Sequence, residues 1–222
     1  MKFIKYFALF FLLQGCSSDY EWGWYILSPN NVEGLTNLKF LISGITTTIY
    51  ISVISIILAM IIGLVIALPS LSNNKFLSYF NIAYVEIVRA VPLLVLILWI
   101  YYGLPIILGV SFSPFVSGII ALTISESAFQ AEIFRAGINS IHKGQHEVAG
   151  SLGMDFWKKM RFVILPQAIK VVLPALGNQF VYVLKMSSLV SIIGIAALTR
   201  KANELVTTTY RPLEIYTFLI LE

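Results

Sequence analysis

The sequence predicts an all-α fold, a polytopic bundle of membrane-spanning helices, and three observations carry that expectation. Of its 222 residues, 58% are hydrophobic and 12% charged. Mean hydropathy is +0.86. Apolar stretches long enough to cross a bilayer alternate with short polar segments. A soluble domain carries about 25% charged residues, so this chain has too few polar groups to clothe a globule of its size. Lipid is its natural solvent, and the length suits one bundle rather than two independent domains.

The net charge is +4. Lys and Arg are spread between the apolar stretches, with no basic run and no interleaved aromatics. The pattern argues against nucleic acid and makes the cations topology signals. Cys16 is the single cysteine, and no HExxH or paired His/Cys spacing occurs, so neither a disulfide framework nor a metal site is expected.

Taken in order, residues 1–18 place Lys2 and Lys5 before an apolar run and then small residues, the layout of a secretory signal. Leu13-Gln14-Gly15-Cys16 resembles a lipoprotein processing site and makes Cys16 a lipidation candidate; the alternative is an uncleaved short hydrophobic helix with an unmodified cysteine. Residues 19–39, with Trp22, Trp24, Pro29 and the asparagines Asn30, Asn31 and Asn37, read as a periplasmic interfacial segment rich in belt aromatics.

Residues 40–68 contain no charge and exceed the ~30 Å hydrocarbon core, so they predict a first, tilted span. Pro69 ends it before a polar loop. A second span is predicted over 91–110, a third over 115–137 and a fourth over 171–195. The longest polar connection, 138–167, separates the last two. A fifth apolar segment begins at Leu213 and stops at Glu222, short of a crossing, so about five spans are expected, the last incomplete.

Orientation follows from the cations. The loops around 69–90 and 135–170 hold Lys75, Arg89, Arg135, Lys143, Lys158, Lys159, Arg161 and Lys170, whereas the other side holds Lys39, Arg200, Lys201 and Arg211. Eight against four places loop 138–167 in the cytoplasm.

Two related hexapeptides stand at predicted cytoplasmic helix ends: Val85-Glu86-Ile87-Val88-Arg89-Ala90 and Ala131-Glu132-Ile133-Phe134-Arg135-Ala136. Each puts Glu and Arg three apart, where Glu86 can pair with Arg89 and Glu132 with Arg135. Such pairs either lock helix ends or take part in gating.

Within loop 138–167, Ala149, Gly150 and Gly153 make a short helix that another surface can approach closely. Val148 and Leu152 give it an apolar stripe. Asp155 is the expected N-cap of a second amphipathic helix, and Pro166 is expected to bend the chain back into the membrane. His142 and His146 flank the loop as solvated or hydrogen-bonded residues.

Two ionisable residues fall near mid-membrane: Glu126, about eleven residues into the third span, and Lys185, about fourteen into the fourth. An ionisable residue at that depth is a candidate for the solute pathway. Two readings are open: the two neutralise one another across helices, or Glu126 reads a substrate ammonium group. Lys185 leans towards structure or gating.

The spacing of Glu147, Ala149, Gly153, Leu165 and Pro166 resembles the EAA---G---------I-LP signature of permease subunits of bacterial ABC importers. Val148 and Val163 are mild apolar departures from it. The similarity extends over about residues 40–222 and points to the polar amino-acid, histidine/glutamine-type branch. It is supported by Glu86, Arg89, Pro92 and Leu93, by Ile164-Leu165-Pro166-Gln167-Ala168 and by Leu184-Lys185-Met186-Ser187-Ser188-Leu189. Ala197 stands where an acidic residue is common.

The resemblance implies a type I ABC importer transmembrane domain in the bacterial inner membrane, moving a polar amino acid delivered by a periplasmic binding protein. It implies ATP-binding cassette subunits and a second permease, identical or homologous, as partners. Docking onto the ATPase would fall to Gln145, Glu147, Val148, Ala149, Leu152 and Gly153. The chain has no GxxxxGK[ST] loop, so no cofactor is expected in it; ATP would be bound by the partner, and the chain itself would be no enzyme. The alternative, an ion-coupled secondary transporter, would show inverted repeats with broken helices, and the hexapeptide is the only internal echo.

Overall fold

The structure is a computed structural model and describes residues 20–68 and 75–221. The signal-like segment 1–18, Cys16 and the polar loop after Pro69 lie outside the described residues. Every regular element among the described residues is helical.

The chain divides into two compact units, one made of the residues up to Lys39 with those from Glu204 onward, the other of Phe40–Asn203. In the first unit, a 3-10 turn over Trp24–Leu27 buries Ile26 and Leu27. Asn31 then starts helix α1, Val32–Ala67. Its side chain donates to the Tyr25 carbonyl at 2.8 Å and accepts from the Gly34 amide at 2.5 Å. That cap is why the helix begins eight residues ahead of the apolar stretch at 40, inside the predicted interfacial segment. The same unit contains a buried carboxylate, Glu214, which accepts from the Tyr20 hydroxyl and from the Gly23 amide at 2.6 Å. Its hydrogen bond holds the Tyr20 hydroxyl above its ordinary pKa. Arg211 lies 3.8 Å from Glu214 and donates to the Glu21 carbonyl at 2.6 Å.

The second unit continues α1 and adds α2 (Lys75–Ala90), then α3 (Leu93–Leu98), a π-helical turn (Trp99–Gly103) and α4 (Leu104–Leu108). α5 (Pro114–Asn139) follows, then α6 (Lys143–Ser151), α7 (Phe156–Lys159), a second π turn (Met160–Ile164) and α8 (Leu165–Met186). A 3-10 segment (Ser187–Ile193), α9 (Leu198–Thr209) and α10 (Pro212–Leu221) complete the order.

Two stretches are long and apolar enough to cross a membrane, Val32–Ala67 and Phe156–Ile193, and a third if the bent pair Ser78–Ala90 with Leu93–Leu108 counts as one. α5 has 26 residues, about 39 Å, also enough to cross. Its hydropathy is lowered by Ser117, Thr123, Ser125, Glu126, Ser127 and Gln130, all buried against protein.

α1 and α5 run side by side in the same direction. Ile51 lies against Gly118, Thr123 donates to the Ser55 carbonyl at 3.4 Å, and Gly63 meets Ser127 and Gln130. A Cβ on Gly63 would fall 2.9 Å from the Gln130 Cβ. α5 and α8 approach as closely at Gly137, where a Cβ would fall 2.1 Å from a Val172 methyl. Without a hydrophobic drive between helices in lipid, contacts of this closeness are what association rests on. Ile51, Ile97, Ile100, Leu122 and Val190 form the apolar core between them.

Three expectations need correction. Residues 75–90, expected to be a cytoplasmic connection, form α2, set at 92° to the helix that follows. Its polar residues are satisfied inward: Asn81 donates to the Ile66 carbonyl at 2.5 Å and the Tyr84 hydroxyl sits 2.7 Å from that of Ser127. The turn itself falls at Pro92, which is extended at ψ 132° and supplies no amide proton.

Pro166 does not bend the chain. It follows directly on the π turn, whose wider hydrogen-bond pattern accommodates a residue without an amide proton, and the apolar helix runs through from Phe156 to Ile193. Finally, Arg89 lies over the Phe129 ring at 4.8 Å, and no ion pair joins it to Glu86 among the described residues. The aromatic face replaces the carboxylate as its neighbour.

Candidate functional site

The docking-loop residues sit on a helix whose two ends are fixed locally. At the N-terminus the His142 imidazole Nδ1 accepts from the Gly144 amide at 3.1 Å. At the C-terminus Gly153 takes φ +71°, a left-handed conformation that suits glycine. Its amide donates to the Gly150 carbonyl at 2.9 Å and the next amide, of Met154, to the Ala149 carbonyl at 3.1 Å. These are the paired bonds of a Schellman stop, so the signature glycine terminates α6. Asp155 then caps α7, accepting from the Lys158 amide at 2.8 Å.

Among the expected docking residues, Ala149 points inward and is 2% exposed, whereas Val148 and Leu152 are 60% and 70% exposed. Gln145 and Glu147 are also exposed. Gln145 is steadied by the Gln167 carboxamide, which donates to its oxygen at 3.3 Å. α6 thus presents two apolar side chains four apart, flanked by a carboxylate and a carboxamide, on a helix with rigid ends. Exposed apolar pairs on a short polar helix mark a surface made to be covered.

Glu132 and Arg135 form the expected pair, with two hydrogen bonds of 2.6 and 3.0 Å. Both side chains are about one-third exposed, which limits what the pair contributes to stability to well under 1 kcal/mol. Glu86 is exposed.

Glu126 and Lys185 are not brought together. Glu126 is fully buried, and Gln179 donates to its carboxylate at 2.5 Å across α5 and α8. Lys185 lies six residues beyond Gln179, about 9 Å further along α8 and about 120° round it, and is exposed. Glu126 Oε1 and both polar atoms of Gln130, one turn on, are buried without a hydrogen-bond partner among the described residues. Reading only charged residues misses Gln179 and Gln130; polar uncharged residues inside an apolar span are the signal that finds them. Among the described residues no cluster of His, Cys, Asp or Glu is arranged to hold a metal.

With that geometry in place, the likeness to known proteins is extensive. The family model described as "Binding-protein-dependent transport system inner membrane component" matches residues 55–221. The arginine transport system permease protein ArtQ of Bacillus subtilis (strain 168) is 34% identical over 180 residues, 81% of this chain and 82% of that one. The glutamine transport system permease protein GlnP of Escherichia coli (strain K12) is 34% identical over the same shares. The crystal structure of an amino acid ABC transporter with histidines superposes at a TM-score of 0.79, with 42% identity, over 84% of this chain and 87% of that one. The MetNI methionine ABC transporter, at 21% identity and a TM-score of 0.70, shares the fold. The chain is an integral membrane protein that belongs to the binding-protein-dependent transport system inner membrane components, the permease subunits of type I ABC importers.

Proposed function

We propose that this chain forms half of an ATP-driven import path for a polar amino acid in the bacterial inner membrane. The observation that carries this reading is α6: a short, capped helix showing Glu147, Val148 and Leu152 to the outside, with no nucleotide loop in the chain to use ATP directly. Force must come from a partner. The ATP-binding subunit covers Gln145, Glu147, Val148, Leu152 and the turn at Gly153 on the cytoplasmic side, while Ala149 packs the helix onto its own chain. α6 connects through α7 and the π turn to the unbroken helix α8, a stiff lever from the docking surface into the membrane. A second permease, identical or homologous, completes the path, and a periplasmic binding protein delivers the solute. Amino acids are the substrates that the names of its relatives carry, which supports that class.

Glu126 serves as a brace in this reading. Its complete burial behind α8 and its bond to Gln179 fit a clamp between α5 and α8 better than contact with a solute. Glu126→Gln keeps an acceptor oxygen for Gln179, so uptake in vesicles holding the whole complex is expected to stay within about twofold of the parent. Glu126→Leu leaves Gln179 unpaired, at a cost of about 1–3 kcal/mol, and is expected to lower both the amount of folded complex and its uptake. A large fall in uptake by Glu126→Gln, at normal complex yield, would return Glu126 to the solute path.

A further inference from the structure

The segment that joins α6 to α8 carries an exposed patch that the docking surface does not include. Met160, Val163 and Ile164 turn inward, against Ile138, Ile141 and Ala168. Their neighbours turn out. Phe156, Trp157 and Phe162 are exposed at 55%, 77% and 65%, and Lys158, Lys159 and Arg161 between them are exposed as well. The Phe156 and Trp157 rings meet edge to face at 5.7 Å, and the Arg161 guanidinium lies 5.6 Å from the centre of the Phe162 ring. Among the described residues no carboxylate pairs with these three cations. The acid nearest in sequence, Asp155, is engaged as the cap of α7.

The exposed chemistry changes over along the helix. Phe156–Ile193 has 38 residues. That is about 57 Å of helix against a hydrocarbon core of ~30 Å, so its first turns lie outside the core. Beyond Phe162, Leu165 and Ile169 are exposed and apolar, at 38% and 58%. Lys170 is off that line, about 100° round from Ile169. Lysine and arginine belong in water or among headgroups and exposed aliphatic side chains among acyl chains, which puts the boundary at Arg161 and Phe162. Cations without acid partners at that depth complement an anionic headgroup phosphate, and the rings beside them suit the upper acyl chain. The direct passage from cations into exposed apolar residues favours lipid over a protein partner as the occupant.

We propose that Lys158, Lys159 and Arg161, with Trp157 and Phe162, form a headgroup site for anionic phospholipid in the cytoplasmic leaflet. The site anchors the foot of α8, where the docking helix passes into the span. Only the leaflet rests on the import reading above; the lipid contact stands apart from it. Each Lys or Arg at an anionic surface contributes about fivefold in binding, and the three together about a hundredfold.

The test uses the whole complex in phosphatidylcholine vesicles that contain either brominated phosphatidylglycerol or brominated phosphatidylcholine as the quencher. Trp157 emission is taken as the difference between the parent and Trp157→Phe. Brominated phosphatidylglycerol is expected to quench it at least about threefold more than the same fraction of brominated phosphatidylcholine, well within what three cations supply. Raising salt from about 0.1 to 1 M, which shortens the screening length from about 10 to 3 Å, is expected to shrink that preference. Lys158→Gln/Lys159→Gln/Arg161→Gln is expected to remove it. Equal quenching of the parent by the two lipids would overturn the anionic site, and no quenching by either would overturn the lipid contact altogether. In detergent without anionic lipid, the triple variant is expected to retain the ATP-binding subunit at the parental level; its loss there would assign the cations to that protein and overturn the proposal. ATP hydrolysis stimulated by the binding protein, measured in the same vesicles, reports on the import reading separately: its presence alongside a Trp157 blind to lipid charge sinks only the present proposal.

Discussion

Replacing Val148 and Leu152 together by aspartate is expected to separate the chain from its ATP-binding partner while leaving α6 folded. Covering two such side chains contributes about 1.5–3 kcal/mol each, and a buried unpaired carboxylate adds a further penalty. The loss is therefore at least about 3 kcal/mol, more than a hundredfold in affinity. The fold should survive, because both side chains are exposed and the helix is stopped by backbone bonds at Gly153. Retention of the ATP-binding subunit on the affinity-tagged chain measures the effect, with size-exclusion behaviour as the check on folding. Retention at the parental level would mean that the partner binds elsewhere and that α6 is an ordinary connector.

Gly137→Leu is expected to abolish the folded chain. Even a single Cβ there lies 2.1 Å from a Val172 methyl, and the neighbouring Ala168 carbonyl, at 3.8 Å, limits relaxation on the other side. Overpacking of this kind costs typically about 1–3 kcal/mol for added methylenes, and leucine adds several beyond the clashing Cβ. In a membrane bundle the two helices would part and lose the Glu126–Gln179 bond as well. The yield of monodisperse protein and its thermal midpoint report the outcome. Gly137→Ala with Val172→Ala is expected to recover most of the loss in Gly137→Ala alone, because the contact is pairwise. No rescue by the double change would show that the glycine matters for backbone conformation instead.

Much of this architecture was legible in the sequence, for identifiable reasons. The first span follows from unbroken apolarity and length; the third follows from its length and its bounding turns, with its polar residues turned to protein. Asp155 as a cap and the small residues of α6 follow from local rules that tertiary structure did not override. α2 was hidden because Lys75, Glu86 and Arg89 make residues 75–90 look like a solvated connection, whereas Asn81 and Tyr84 find partners on α1 and α5. Proline at 166 signals a bend in the sequence, whereas the π turn before it lets the helix take it and continue. Arg89 went to an aromatic face rather than to its sequence neighbour Glu86, since α2 packs on α5 where Phe129 waits. Glu126 is bonded through one oxygen to the uncharged Gln179 and not to Lys185, because Gln179 is the α8 residue that faces α5.

The central claim is that this chain moves a polar amino acid by coupling to ATP hydrolysis in a docked partner. Uptake of a labelled amino acid by vesicles holding the chain, its ATP-binding partner and a second permease, with the binding protein outside, tests it most directly. Accumulation that requires ATP inside the vesicles, ignores dissipation of proton and sodium gradients and disappears with Val148→Asp/Leu152→Asp is the predicted result. Uptake that persists without ATP and follows an ion gradient would contradict it.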